Sequence, residues 1–320
     1  MLEVSNLSRS YGDFLAVDAV SFSIQSGEIV GLLGHNGAGK TTIMKMLSGF
    51  LEPDQGRVTL DGIDMATNAK QAQRILGYLP ENLPVYPEMS VADYLDYAAD
   101  LKGLGGEFKT AEIRRAVKAT ELEAKLLDSI STLSRGYKQR VGVAQAILGK
   151  PRVLILDEPT NGLDPTQTDH MRALIRDIAQ NATVILSTHI MQEVDALCDR
   201  VLIVNAGQLV VDAKLSNLKQ SSQLLLSTSL GKQTLQEVLA EQVPAIGACT
   251  PVAGHDSWHH YQLQVHEGRD LNDTAAALVQ AIVQTGGKVA GVQPIVRNLE
   301  TLFREVSSGH AAAKEIKHAA

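Results

Sequence analysis

Eight consecutive residues, Gly34-His35-Asn36-Gly37-Ala38-Gly39-Lys40-Thr41, fit the pattern G-x-x-x-x-G-K-[ST]. A loop of this composition cradles nucleotide phosphates. Its glycines let the backbone curl until the N–H groups point inward. Lys40 can reach the β- and γ-phosphates, and the Thr41 hydroxyl can ligand Mg²⁺. Glu28 to Leu33 reads as a buried strand before the loop, and Thr42 to Leu47 as the first turns of a helix after it. The helix N-terminus adds partial positive charge where the phosphates sit. The candidate nucleotide-binding residues of this segment are Gly34, His35, Asn36, Gly37, Ala38, Gly39, Lys40, Thr41 and Thr42.

A second cluster of chemistry lies further along. The apolar run Val153-Leu154-Ile155-Leu156 ends in Asp157-Glu158. At the edge of an open α/β sheet Asp157 is placed to hold Mg²⁺, directly or through water. Glu158, one residue further out, can orient and deprotonate an attacking water. Leu133-Ser134-Arg135-Gly136-Tyr137-Lys138-Gln139-Arg140 precedes the apolar helix Val141 to Leu148. Ser134 reads as its N-cap or the residue just before, so this helix start is a second anion-binding end. In isolation the first would be a solvated acidic turn and the second a plain cap.

The elements that must position these residues follow from patterning. Residues 1–30 alternate as antiparallel strands, Arg57 to Gly62 is a strand ending at a turn, and Arg74 to Pro80 is a strand running into a Pro-rich loop. Val91, Tyr94, Leu95 and Ala98 recur at helical spacing, with Ile113, Val117 and Leu122 less regular, which makes 90–130 a helical insertion. Val153–Leu156 and Thr183–Leu186 have no polar face, as befits central parallel strands. Asn205-Ala206-Gly207 joins a hairpin. Past a Ser-, Asn-, Lys- and Gln-rich boundary at 215–222, strands at 223–229, 246–252, 258–266 and 287–293 alternate with helices at 231–241 and 270–285. That order resembles a split βαβ, ferredoxin-like unit. A short helix spans about Asn298–Val306.

The fold class is therefore α/β: a mixed sheet with an antiparallel β subdomain and a helical subdomain, plus a small α+β ferredoxin-like C-terminal domain. The expected divisions are 1–220 for the nucleotide-binding domain (helical subdomain about 88–150), 221–308 for the accessory domain and 309–320 for a frayed tail. The chain has 320 residues, 44% of them hydrophobic, enough for two cored domains. Its formal net charge of −7 argues against direct nucleic-acid binding. No apolar run approaches the ~18 residues of a membrane span, and no secretory leader is evident. Cys198 and Cys249 read as two buried reduced thiols. These features point to the cytosol and allow docking on a membrane through a partner. His255-Asp256-Ser257-Trp258-His259-His260 with His266 suggests either a metal cluster or a solvated strand and loop. On a strand His260 and His266 would share one face.

Residues 1 to about 215 resemble the nucleotide-binding subunit of an ABC transporter. The family's Walker A loop matches Gly34–Thr41, and its Walker B strand and catalytic glutamate match Val153–Asp157 and Glu158. The D-loop matches Asn161-Gly162-Leu163-Asp164, the switch histidine His189 in Ser187-Thr188-His189, and the adenine-stacking aromatic Tyr11 in Ser10-Tyr11-Gly12. The family signature is commonly LSGGQ. Here Arg135 replaces the first glycine and Tyr137 the glutamine, while Ser134 and Gly136 remain. The Q-loop glutamine falls at Glu81, in Tyr78-Leu79-Pro80-Glu81-Asn82, where a carboxylate can still ligand Mg²⁺ but adds charge beside phosphate. These departures and the appended C-terminal unit resemble ABC-2 type exporter ATPases, the gliding-motility-like branch above all. Similar sequences serve in maturation of nitrous-oxide reductase.

The resemblance implies an ATPase in which Glu158 and His189 are catalytic. It implies that Tyr11, Ser134, Gly136 and Asp164 join the loop in binding ATP, and that Thr41, Asp157 and Glu81 hold Mg²⁺. It implies two subunits sandwiching two ATP molecules head to tail, as a homodimer or with a related ATPase. It further implies a separate integral-membrane permease, and a peripheral place on the cytoplasmic face of the membrane. The rivals are a soluble ABC ATPase acting on ribosomes or DNA and a nucleotide-gated regulatory module. Cargo, and the choice between export and mechanical work, stay open.

Overall fold

The computed structural model describes residues 1–83, 85–219, 222–253, 258–266, 268–295, 299–301 and 303. The chain divides into two compact units, one of Met1–Ser216 together with Phe303, the other within 217–302.

In the first unit, β1 (Leu2–Tyr11) and β2 (Phe14–Ile24) form a long antiparallel hairpin. β3 (Ile29–Leu33) leads to α1 (Lys40–Leu47), and β4 (Gln55–Leu60) and β5 (Ile63–Asp64) return beside β1 in a four-stranded sheet ordered β2-β1-β4-β5. α2 (Ala69–Arg74) and β6 (Leu76–Leu79) precede the helical insertion of α3 (Val91–Leu101), α4 (Gly106–Ala119) and α5 (Arg135–Ile147). Then come β7 (Val153–Asp157), α6 (Pro165–Ala179), β8 (Thr183–Ser187), α7 (Met191–Leu197), β9 (Arg200–Asn205) and β10 (Gln208–Lys214), after which α8 (Leu215–Lys219) carries the chain past the division at Ser216. The second sheet runs β10-β9-β3-β8-β7-β6, parallel except for β10.

Every residue of β3, β7 and β8 is buried, which is why these strands carry no polar face. The β9–β10 turn has positive φ at both Ala206 and Gly207, the twist a tight hairpin needs. Leu2, Leu7 and Leu60 from the first sheet, Leu32, Ile155 and Leu202 from the second, and Ile43, Met44 and Leu47 of α1 share one core. α5 lies against β6, where a Cβ on Gly77 would come 2.3 Å from the carbonyl oxygen of Ala146.

The second unit runs β11 (Gln223–Thr228), α9 (Lys232–Gln242), β12 (Ile246–Val252), β13 (His259–Val265), α10 (Leu271–Gln284), β14 (Val289–Pro294). Its sheet is antiparallel throughout, in the order β12-β13-β11-β14. Leu224, Leu226, Tyr261 and Leu263 of the sheet pack on Leu235, Leu239, Leu278 and Ile282 of the helices, a core of its own.

Several expectations need correction. Arg74 ends α2 instead of opening a strand, and β6 begins only at Leu76. In α4 the buried carboxylate is Glu112, one residue before the half-buried Ile113. Arg115 neutralises Glu112 and also donates to the Ile147 carbonyl, so a charged pair occupies a place where an apolar contact was expected. Cys249 is only half-buried, unlike Cys198. His266 lies past the end of β13, under Gly247, so it shares no strand face with His260, which pairs with the Ser227 hydroxyl at 2.8 Å. His255, Asp256 and Ser257, the tail 309–320 and most of the 298–306 helix lie outside the described residues; 299–301 are helical.

Candidate functional site

β3 delivers the chain to the Gly-rich loop, and α1 starts within it at Lys40. Glycine is required twice by close approach. A Cβ on Gly34 would lie 2.6 Å from the Val204 carbonyl oxygen. One on Gly39, whose φ is 108°, would lie 2.6 Å from that of Ala16. The Lys40 ammonium curls back to donate to the carbonyls of Gly34 (2.6 Å) and His35 (3.1 Å). Burial lowers its pKa, against the pull of Glu158, Asp157 and Glu81.

β7 delivers Asp157, 5% exposed, and Glu158 behind it. Burial pushes the Asp157 carboxyl up, the Ser187 hydroxyl bonded to it pulls it down, and the charges of Glu81 and Glu158 push it up again. Glu158 stands in the left-handed region at φ 51°. Its carboxylate accepts from the His189 backbone N–H (3.1 Å) and the Thr188 hydroxyl (3.3 Å), and meets His189 Nδ1 at 2.8 Å. The end of β8 thus clamps the glutamate that follows β7.

One cavity of about 730 Å³ gathers Gly34, His35, Asn36, Lys40, Thr41, Glu81, Asp157, Glu158 and His189. Gly37, Ala38, Gly39 and Thr42 belong to the same loop and helix start but do not line it. Nor do Tyr11, Ser134, Gly136 and Asp164. Tyr11 ends β1, 48% exposed, with the Arg9 guanidinium 5.5 Å from its ring. Ser134 caps α5 by accepting from the Tyr137 N–H at 3.4 Å, and Asp164 caps α6 by accepting from that of Gln167 at 2.9 Å. A Cβ on Gly136 would meet Gln167 and Leu163 at 2.7 and 3.3 Å, so the start of α5 is seated on the loop before α6.

Sequence reasoning missed five cavity residues: Asn161, Ser187, Thr188, Met191 and Phe303. The two hydroxyls beside His189 could have been found from their place at the end of an apolar strand. Nothing in the pattern marks Phe303, whose ring lies 4.8 Å from that of His35. Among the described residues, no group of three or more His, Cys, Asp or Glu is arranged to hold a metal ion on its own. The cavity can seat a polyanion. It offers a lysine and a helix N-terminus for phosphate, carboxylates for a divalent cation, and a glutamate–histidine pair able to manage a water's proton.

The sequence pattern of the ABC transporter family matches residues 17–161. An uncharacterized ABC transporter ATP-binding protein of Bacillus subtilis strain 168, YdbJ, is 30% identical over 316 residues, 97% of this chain and 96% of its own. The chain belongs to the ABC transporter ATP-binding protein family. This ABC ATPase is also similar to YxlF of the same organism, another uncharacterized member, 36% identical over 85% of this chain and 90% of the relative. The bacitracin transport ATP-binding protein BcrA of Bacillus licheniformis is 34% identical over 76% and 79%. A solved ATP-binding subunit of an ABC transporter superposes with a TM-score of 0.64 at 30% identity, covering 68% of this chain and 91% of that one. The fold is thus a P-loop ABC ATPase with mixed and antiparallel sheets. ATP is the nucleotide of the family, and ATP hydrolysis is the expected activity. Among the described residues no helix is long and apolar enough to cross a membrane.

Proposed function

We propose that this chain is the ATP-hydrolysing subunit of an ABC-2 type exporter, of the gliding-motility-like branch, working as a homodimer beneath a separate integral-membrane permease. Its place would be peripheral, on the cytoplasmic face of the membrane. The observation that carries the reading is the split between residue sets. The Gly-rich loop, Asp157, Glu158 and His189 converge on one cavity, while Ser134 and Gly136 lie outside it. A second copy turned head to tail brings that missing half, in a closed twofold pair. Each ATP would then lie between Lys40 of one copy and the start of α5 of the other, with Tyr11 against the adenine and Asp164 near the junction. The first turn of α5 carries Arg135 and no acidic residue. Such a helix start opposes its own dipole, a fault that a bound anion corrects.

One lysine faces three carboxylates in the cavity, so the residues fit a divalent cation. Thr41, Asp157 and Glu81 would hold Mg²⁺, with phosphate oxygens completing its shell. When bound, the ion would neutralise phosphate charge. Glu158 would take a proton from the attacking water, and His189, paired with it, would face the γ-phosphate. Reversing a two-state equilibrium takes roughly 5.5 kcal/mol. Hydrogen bonds to charged groups contribute about 1.5–3 kcal/mol each, so a few contacts per γ-phosphate suffice to close the pair.

The transmitting surface would be the helical insertion with the segment Gly77–Pro87, where an open groove runs past Tyr86, Tyr94 and Tyr97. Phe50 (76% exposed, under the Lys45 ammonium) and Leu101 (71%) offer apolar surface on this unit to a membrane partner. The remainder of the chain, 221–308, we read as a ferredoxin-like accessory domain appended to a 1–220 nucleotide-binding domain, with 309–320 as a tail; its βαββαβ order supports this.

Glu158→Gln in saturating ATP–Mg²⁺ should dimerise and hydrolyse about 10²–10⁴-fold more slowly than wild type. A variant that stays monomeric on sizing overturns the sandwich. Affinity capture from membranes should retrieve a multispan permease. Ribosomal or DNA-bound partners, or a wild-type chain without steady-state ATPase, would favour the soluble or regulatory rivals instead.

A further inference from the structure

Glu158 is held in a conformation that its backbone resists. A non-glycine residue adopts the left-handed region only against steric resistance, so its surroundings must impose it. Its N–H donates to the Ser187 carbonyl at 2.9 Å. Its carboxylate is held by Thr188 and His189. Its carbonyl oxygen accepts twice, from the Asn161 N–H at 3.1 Å and from the side-chain amide of Gln139 at 3.1 Å. Four of these anchors come from the end of β8 or from the turn that follows β7. Gln139 alone reaches across from α5, the helix whose first turn carries Ser134 and Gly136.

That first turn is fastened to the same turn of chain. Gly136 sits on Leu163 and Gln167. The Arg135 stem covers Gly162 so closely that a Cβ there would come within 2.6 Å of it. The start of α5, the 161–164 loop and the Glu158 carbonyl therefore form one contiguous body, and Gln139 is its side-chain link to the glutamate.

We infer that Gln139 is a positioning residue for hydrolysis: it fixes the peptide plane after Glu158, and so the aim of the carboxylate, and it ties that aim to the seating of α5. The inference rests on the head-to-tail reading above. In that arrangement α5 touches one ATP while Glu158 of the same chain faces the other. Gln139 is then the joint through which occupancy of one site prepares the base at its neighbour.

The test uses the full-length chain. Gln139→Leu removes the donor and keeps the bulk. Its kcat should fall about 10- to 100-fold, the loss expected from a small misplacement of a catalytic group. KM for ATP should stay within about twofold, and the ATP dependence of the rate should lose its cooperativity. In a Glu158→Gln background the same change should leave ATP-driven dimerisation within about twofold and lower the residual rate no further, since coupled residues are non-additive. Should the leucine variant fail to fold, Gln139→Glu keeps size and polarity without the donor and should give the same split. A kcat within twofold of wild type, or kcat, KM and dimerisation falling together, overturns the role of Gln139 alone. A wild-type chain that neither hydrolyses ATP nor dimerises with it overturns the reading beneath, and this role with it.

Discussion

Lys40 donates to two carbonyls of its own loop, within reach of three carboxylate charges. A triphosphate gives that ammonium better partners. Lys40→Ala should therefore lower ATP affinity by one to two orders of magnitude, about the 1.5–3 kcal/mol of one charged hydrogen bond; unchanged affinity by fluorescent-nucleotide titration would remove Lys40 from the site. Asp157 tells the opposite story. Burial and two neighbouring carboxylates work against its charge. Asp157→Asn should raise the thermal midpoint in chelator, while erasing any gain in ATP affinity on adding Mg²⁺. At this scale much of the cavity was legible, because phosphate chemistry demands fixed residue types at fixed spacing. The contact of Gln139 was not. Gln139 bonds a backbone carbonyl, which every residue has, and so leaves no trace in composition. Spacing also cannot say that Ser134 stands apart from the cavity holding Lys40.

Elements were legible where burial is one-sided or total, as in β3, β7 and β8, and blurred where charge is buried. Ile75 and Leu76 invited a longer strand, yet Arg74 closes α2, and the short β6 is defined by its pairing with β7. Gly77 in β6 shows what that pairing costs in side-chain room. Gly77→Ala must push α5 away, which should cost about 1–3 kcal/mol, read as a lower denaturant midpoint at unchanged slope. The far end of α5 is tied by charge. Lys102 donates to the carbonyls of Ala146 and Leu148, while Arg115 holds Ile147. Burial, and after it the charge of Arg115, pulls Lys102 down to about 8 from 10.5. A lowered lysine pKa means that the unfolded chain binds the extra proton between those values, so folding gains stability as pH rises from about 8 to 10.5. Lys102→Met has no such proton to lose. Wild type should thus improve relative to the variant across that interval in thermal melts; a constant difference would place the ammonium in solvent.

At the scale of the whole molecule, the two units close their apolar interiors separately. A chain ending at Ser216 and a fragment from Asn217 onward should each unfold cooperatively, and calorimetry of the intact protein should resolve into two transitions. A single transition, with neither piece folding alone, would show that the cores depend on each other. The antiparallel βαββαβ order of the second unit was readable because its strands alternate and its helices are amphipathic. The partner of either unit was not, since a docking surface needs no periodicity. Separate interiors also carry a genetic implication. Recombination near Ser216 severs no hydrophobic contact within either core, so descendants of this gene can exchange their last third with both interiors intact, and what such an exchange alters beside the cavity is the aromatic neighbour of His35, Phe303.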